Sequence, residues 1–256
     1  MRLQMDSSLA ENYASSSQKV RVITEKWVSD NMFCPRCGNM RVSRFDNNKP
    51  VADFYCQSCS NQYELKSMNG LHLEKVMDGA YSTMIGRITG MDNPDFFFMS
   101  YSKTNWFVQN FFFVPKHFFT PDIIEKRAPL SPTARRAGWT GCNILLGKIP
   151  STGRIPIIEN GVILDKQIVL RRVSTANALI VSDINARGWL MDILSCVERI
   201  EGTTFTLSEV YRFEDELATK YPENHNIRPK IRQQLQLLRD RGIIEFIKPG
   251  IYKKTL

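Results

Sequence analysis

Apolar residues recur at helical spacing in several stretches of the chain, and each such stretch predicts a helix. Val20, Ile23 and Trp27 follow Ser15-Ser16-Ser17, three residues able to cap a helix start. Val76, Ala80, Met84 and Ile88 fall on one face if residues 73–88 are helical. Trp189, Ile193, Val197 and Ile200 form a third stripe, and Ile231, Leu235 and Leu238 a further one that Gly242 stops. Between these two stripes, Thr206-Leu207-Ser208-Glu209 has the form of a capping box that opens another helix. Strands are predicted at 51–55, 62–67, 95–101 and 106–114, the last two rich in aromatic residues with a turn between them. Asn160-Gly161 joins 155–158 to 162–165 as a tight hairpin. Lys248-Pro249-Gly250 separates IIEFI from IYKK in the same way. Polar stretches at 47–50 and 131–143 predict loops.

The order helix, strand, strand, helix, strand, strand suits an α/β fold with a mixed sheet and helices on its faces. A second unit begins near Asp183, giving expected domains of 1–182 and 183–256. Three helices followed by a β-ribbon is the layout of a winged helix, with the ribbon as the wing. No internal repeat is evident.

Charge adds a partner. The 256 residues carry 34 Lys and Arg against 26 Asp and Glu, a net charge of +8. From Asn226 to Leu256 there are eight basic and two acidic residues, whereas 183–225 holds four basic and nine acidic ones. The positive excess therefore falls on the third helix and wing of the second unit, the parts that would enter a DNA groove and grip its backbone. The first twenty residues lack a continuous apolar segment, and no stretch is long enough to span a bilayer. The expectation is a cytoplasmic protein without a membrane partner, in which six cysteines do not form a disulfide framework.

Four of those cysteines form two knuckles, Cys34-x-x-Cys37 and Cys56-x-x-Cys59, with eighteen residues between them. That spacing fits one tetrahedral, four-thiolate Zn²⁺ site inserted in the first unit. Four protein ligands leave no open position, so such a zinc is structural. Cys142 and Cys196 have no knuckle partner and read as buried thiols.

Around the second knuckle lies different chemistry. On a strand at 62–67, Glu64 and Lys66 share one face while Tyr63 and Leu65 take the other. Asp53, on the neighbouring strand, can reach the same point. Carboxylates suit Mg²⁺, and phosphodiester hydrolysis needs a cation for the developing charge and a positioned water. An acid–lysine pair on an exposed strand is also common without any catalytic role.

Asp53…Glu64-Leu65-Lys66 resembles the PD-(D/E)xK nuclease core, with Ala52 where proline often stands. The blocks CPRCGN, KPVADFYC, ELKS, DGAYSTM, NPDFFF, PTARRAGW, GCNI and IRQQLQLLRD together are similar to the methylation-dependent type II restriction endonucleases, over nearly the whole chain and least over 150–182. That resemblance implies a Mg²⁺-dependent enzyme, a monomer in solution, that cuts double-stranded DNA at GATC carrying N6-methyladenine. It implies a restriction-endonuclease-like core with an inserted four-cysteine zinc site, and a C-terminal winged helix reading the same sequence. By the same resemblance Asp53, Glu64 and the Leu65 carbonyl hold Mg²⁺, Lys66 orients or deprotonates the attacking water, and Cys34, Cys37, Cys56 and Cys59 hold zinc.

Reading a methyl group needs several modest contributions, because burying one methyl stabilises binding by only about 1 kcal/mol. A second reading unit supplies some of them. Trp139 and Trp189 are candidate apolar walls, with core packing the other reading of each, favoured for Trp189 on its helical stripe. Arg135 and Arg136 are placed to meet phosphate or guanine, and Arg228, Lys230, Arg232, Gln233 and Gln234 include expected DNA contacts. His72, His117 and His225 show no ligand or nucleophile pattern and read as structural or exposed, and Glu25 as a surface charge or a water-positioning group. Two other functions are compatible with these parts: a zinc-ribbon, winged-helix transcription regulator without cleavage, and a structure-specific DNA repair nuclease.

Overall fold

The structure is a computed structural model in which residues 1–46, 52–71, 73–90 and 92–255 are described. The loop predicted at 47–50, the first residue of the strand predicted at 51–55, and His72 lie outside the described residues.

The first unit is built on one aromatic strand. α1 (Ser16–Asn31) is followed by β1 (Ser43–Arg44), β2 (Phe54–Tyr55) and β3 (Gln62–Asn69). Then come β4 (Lys75–Ala80), α2 (Tyr81–Gly90), β5 (Asp95–Ser102) and β6 (Phe107–Val114). β7 (Ile124–Lys126), β8 (Gly141–Leu145), β9 (Ile155–Glu159), β10 (Val162–Ile163) and α3 (Lys166–Asn177) complete it. Among the described residues, seven strands form a sheet in the order β1-β2-β3-β5-β6-β9-β10. β3 and β5 are parallel and the other neighbours antiparallel, so the sheet is mixed. β5 lies near the middle because Phe96, Phe97 and Phe98 find cover on both faces and are fully buried. Tyr63 of β3 stacks on Phe97 at 4.8 Å between ring centres, which binds the strand of Glu64 and Lys66 to this core.

A parallel β3–β5 pair needs a crossover, and here the helix predicted at 73–88 is corrected. Residues 75–80 are strand β4, paired with β8 in a second sheet of order β4-β8-β7, and the helix begins only at Tyr81. Val76, Met84 and Ile88 are buried as the pattern required, but from two elements rather than one. Gly79 marks the reason: a glycine weakens a helix, and it sits where the β4–β8 register shifts, at a bulge. The loop predicted at 131–143 is likewise shorter, since residues 141–143 belong to β8. Helix α3 was not expected; Asp165 caps it by accepting from the N–H groups of Gln167 and Ile168, and Val169, Val173 and Ala176 are its buried face.

The C-terminal unit is helical with a small sheet. α4 (Ile184–Arg199) starts where Asp183 accepts from Ala186 N–H, and it buries Trp189, Ile193 and Val197. β11 (Thr204–Thr206) leads into the capping box, in which Thr206 Oγ1 accepts from Glu209 N–H and Glu209 accepts from Thr206 N–H. The helix it opens is split into α5 (Leu207–Tyr211) and α6 (Glu214–Lys220). α7 (Ile227–Asp240) ends before Gly242, whose φ of +72° is the left-handed cap expected there. β12 (Ile244–Lys248) and β13 (Ile251–Lys254) form the ribbon, with β11 added on the far side of β13.

The two units are docked by polar contacts. Glu198 of α4 accepts from Ser151 N–H at 2.6 Å, Thr152 N–H at 3.0 Å and the Thr152 hydroxyl at 2.6 Å. Lys220 bridges Asp122 at 2.8 Å and Asp192 at 2.5 Å. Arg241 donates to the carbonyls of Ala178 and Ile180. Among the described residues no helix is long and apolar enough to cross a membrane.

Candidate active site and cysteine cluster

The segments CPRCGN and CQSCSN share the pattern Cys-x-x-Cys, a small residue, then Asn, and they fold alike. In the first, Cys34 N–H donates to Asn39 O and Gly38 N–H to Cys34 O, both at 2.8 Å. In the second, Cys56 N–H donates to Asn61 O and Ser60 N–H to Cys56 O, both at 2.9 Å. Each turn passes through the left-handed region at the residue after its second cysteine, Gly38 at φ +75° and Ser60 at +57°. The four sulfurs converge: Cys34 and Cys59 are 3.6 Å apart, as are Cys37 and Cys56, and all lie within 4.8 Å of one another. Thiolates about 2.3 Å from a tetrahedral Zn²⁺ would sit about 3.8 Å apart, so the cluster fits that ion without rearrangement. Free cysteines of a disulfide-forming pair would lie closer.

Asp95, 1% exposed, ties the knuckles to β5. It receives a bidentate pair from Arg36 of the first knuckle at 2.7 and 2.8 Å, Asn61 of the second at 2.8 Å, and Lys116 N–H at 2.7 Å.

The second knuckle is the turn between β2 and β3, and this sets the acids. Phe54 pairs with Tyr63 and Tyr55 with Gln62, and just before β2 Asp53 N–H donates to Tyr63 O at 2.9 Å, which brings Asp53 beside Glu64 on β3. Asp53 Oδ2 accepts from Leu65 N–H at 2.8 Å. Glu64 and Lys66 lie on one face and make a 2.5 Å ion pair. The structure therefore brings Asp53, Glu64 and Lys66 together.

It also brings residues that the sequence reading missed. Asp78 of β4 makes an ion pair with Lys66, and Arg87 of α2 lies 3.3 Å from Glu64. Asp78 stands next to the bulge at Gly79, and that glycine inside an otherwise regular pattern was the available signal. Glu25, weighed as a surface charge, is 4% exposed and paired with Arg21 at 2.6 Å and Arg44 at 3.1 Å. It stands close enough to Asp53 for its charge to be felt there.

Three carboxylates, Asp53, Glu64 and Asp78, thus face two cations, Lys66 and Arg87, which leaves negative charge for a further cation. Burial raises the pKa of Asp53, opposed by the Leu65 N–H and reinforced by Glu25. Burial also raises Glu64, against the pull of Lys66. For Lys66 burial acts downward, but the charges of Glu64 and Asp78 outweigh it and hold the ammonium above its ordinary value. Carboxylates pushed toward protonation by burial are the groups a divalent cation would relieve most. Asp53, Glu64 and the carbonyl of Leu65 are the oxygens that could hold one.

The expected DNA contacts divide. Arg135 and Arg136 are exposed on the loop between β7 and β8, whose neck is closed by Leu130 N–H to Trp139 O at 2.9 Å and Gly138 N–H to Leu130 O at 3.1 Å. The Arg136 guanidinium lies 4.8 Å over the Trp139 ring, which is half-buried on Gly141, where a Cβ would come within 2.9 Å of it. Because β8 also pairs with β4 at Cys142 and Asp78, this loop and Asp78 share one sheet. On α7, Arg232 and Gln233 are exposed, Arg228 is held by Glu214 at 2.7 Å, and Lys230 lies 5.9 Å over Trp189. Gln234 is 4% exposed, and Trp189, 6% exposed, stacks on Tyr221 at 3.9 Å. These last two present no open face, because α7 turns Gln234 inward beside Leu235 and the α4 stripe buries Trp189, as its spacing favoured. Cys142 and Cys196 are buried thiols, and His117 is buried with Nε2 2.8 Å from Ala176 O.

A protein-family model described as DpnI, Dam-replacing family, matches residues 1–182. A second, described as the Dam-replacing HTH domain, matches residues 185–254.

Proposed function

We propose, from the premise that this chain belongs to the DpnI Dam-replacing family of restriction endonucleases and carries its DNA-binding HTH domain, that it hydrolyses double-stranded DNA at GATC bearing N6-methyladenine, using Mg²⁺. One observation carries the chemical part of this reading. Asp53, Glu64 and Lys66 meet on the β2–β3 hairpin, with Asp53 fixed by the Leu65 N–H and Glu64 2.5 Å from Lys66. A transcription regulator has no use for that convergence at the end of a buried sheet.

Asp53, Glu64 and the Leu65 carbonyl would hold Mg²⁺, which when bound would neutralise phosphate charge and make a bound water more acidic. The chain's own residues do the rest. Asp53 cannot swing away, because Leu65 N–H holds one oxygen and leaves the other for a ligand. Lys66, between two carboxylates, keeps its proton and serves as a donor that orients the attacking water and the phosphate oxygens, rather than as a base. Arg87 restrains Glu64 from the helix side. The four cysteines would hold a Zn²⁺ that takes no part in cleavage; their knuckle would fix the β2–β3 turn and so keep Asp53 beside Glu64.

Recognition falls to Arg135, Arg136 and Trp139 on the β7–β8 loop and to the exposed face of α7, which includes Arg232 and Gln233. The N6-methyl of adenine lies in the major groove, within reach of a helix or a loop. Residues 1–182 form the cutting unit and 183–256 the second reading unit in this proposal.

The test is cleavage of matched plasmids, grown with and without adenine methylation, in Mg²⁺ beside an Asp53→Ala control. Cutting confined to methylated plasmid and lost in Asp53→Ala is the expected result. Equal cutting of both plasmids removes methyl dependence, cutting by Asp53→Ala removes the catalytic assignment, and binding without cutting by the wild type makes the chain a regulator.

A further inference from the structure

Against the cysteine knuckles, whose Arg36, Cys59 and Asn61 form part of its wall, a cavity of about 280 Å³ lies between the first unit and the segment that enters α4. Its lining includes Ile88, Asn93, Lys116, His117, Val181 and Arg187. Nothing in the cleavage chemistry uses it.

Arg36 and Asn61 are held by Asp95, but two other polar side chains facing it, Asn93 and His117, lack partners. Asn93 is 3% exposed, and neither its amide nitrogen nor its amide oxygen has a hydrogen bond. His117 is 5% exposed; its Nε2 is engaged with Ala176 O, so Nε2 carries the proton and Nδ1 is an acceptor without a donor. Arg187 is 3% exposed and meets only backbone carbonyls of Val181, Ser182 and Phe119, at 3.3 to 3.4 Å, with no carboxylate. Burying polar groups without partners is costly, so three such atoms beside a guanidinium held only by long hydrogen bonds and the nearby charge of Asp183 call for a ligand.

The missing partner can be specified from what these groups lack. A bare oxyanion would answer Arg187 and Lys116 but leave Asn93 Oδ1 and His117 Nδ1 without donors. An apolar ligand would answer neither. The complement needs N–H donors, an acceptor beside one of them, an anionic group, and flat apolar faces for Ile88 and Val181. Asparagine pairs in bidentate fashion with the amino group and ring nitrogen of adenine. We propose that this cavity is an aminopurine-nucleotide site: the adenine edge pairs with Asn93 near His117, the ring lies between Ile88 and Val181, and the phosphate faces Lys116 and Arg187. The nucleotide can come free from solution or from a DNA strand as an extruded base, and the chemistry is the same.

The experiment uses the full-length protein loaded with its zinc. Binding of deoxyadenosine monophosphate is measured by calorimetry, and a duplex with 2-aminopurine stacked next to an intact target adenine reports extrusion of that adenine by the fluorescence gained on unstacking. Asn93→Leu and Lys116→Ala are compared with wild type, each checked for folding by thermal melting. Wild type is expected to bind the free nucleotide saturably. Asn93→Leu should weaken it about ten- to a hundredfold, the worth of one bidentate pair, without lowering the melting temperature. Lys116→Ala should weaken it less and reduce its salt dependence. A 2-aminopurine signal in wild type that Asn93→Leu abolishes, with no free-nucleotide binding, assigns the site to an extruded base. Absence of both signals up to millimolar nucleotide, or binding indifferent to Asn93→Leu, overturns the proposal and leaves a cavity filled by water. Plasmid cleavage is read in parallel, so failure here is separable from failure of the nuclease reading.

Discussion

Two carboxylates hold the ammonium of Lys66: Glu64, two residues away on its own strand, and Asp78 on β4. The first contact is local and follows from the two-residue period of a strand, which is why Glu64 and Lys66 could be placed on one face from sequence, whereas Asp53, within reach on the neighbouring strand, was assigned to them through the resemblance. The second depends on β4 pairing with β8, whose partner residues are distant along the chain; Gly79 marks a break in the pattern there, but nothing local gives the pairing. Asp78 is therefore the residue to alter. Asp78→Asn keeps the shape and removes the charge, so Lys66 loses one of two restraints; kcat for strand cleavage should fall about tenfold or more while DNA affinity holds, a split that single-turnover assays would resolve. An unchanged kcat would make Asp78 a structural partner only. His117 makes a second prediction at this scale. Burial lowers its pKa from 6.5 to about 4, so the fold holds it neutral. Between pH 6.5 and about 4 the unfolded chain binds the extra proton, and stability falls as pH falls through that window. His117→Gln can still donate to Ala176 O and should flatten that part of the melting-temperature profile, whereas a slope equal to wild type would assign the acid sensitivity elsewhere.

Among the elements, the hairpin β2–knuckle–β3 was legible because cysteine spacing and strand period are both short-range signals. The stretch 73–88 was not, since Val76, Met84 and Ile88 satisfy a helical face while belonging to a strand and a helix that bury them from different directions. Helix α3 hid for the opposite reason: its Ile168, Val169 and Val173 are β-branched and suit a strand as well, and only the Asp165 cap marks the start. The second helix of the C-terminal unit was placed by its capping box, yet its division into α5 and α6 left no mark in the periodicity. The knuckle carries the prediction at this scale. Without metal nothing joins the four sulfurs of the two knuckles, so the β2–β3 turn loses its clamp and Asp53 its fixed place beside Glu64. Chelation, or Cys59→Ser, should lower the melting temperature and abolish cutting together, and in the chelated wild type, with Mg²⁺ present throughout the cutting assay, added zinc should restore both. Loss of cutting at an unchanged melting temperature would instead place the metal in the chemistry.

Across the whole molecule, the acids sit in one unit and the basic α7 and its ribbon in the other, joined through Glu198, Lys220 and Arg241. If both units read the DNA as proposed, their contributions add in free energy and multiply in affinity. Methyl groups worth about 1 kcal/mol each give useful discrimination only when several are summed in this way. Removing the exposed Arg232 and Gln233 from α7 takes away one reader without touching the acids. The double variant Arg232→Ala, Gln233→Ala should bind methylated duplex about tenfold more weakly, with a salt slope reduced by about one for the lost phosphate contact. Its discrimination between methylated and unmethylated sites should shrink by a similar factor, because the remaining reader is the β7–β8 loop alone. At saturating DNA its single-turnover cleavage rate should equal that of wild type, since Asp53, Glu64, Lys66 and Asp78 are unchanged. A variant that cuts slowly even at saturation would mean that α7 acts on the acids through the docked interface, and the two units would then have to be treated as one machine rather than a cutter with a second reader.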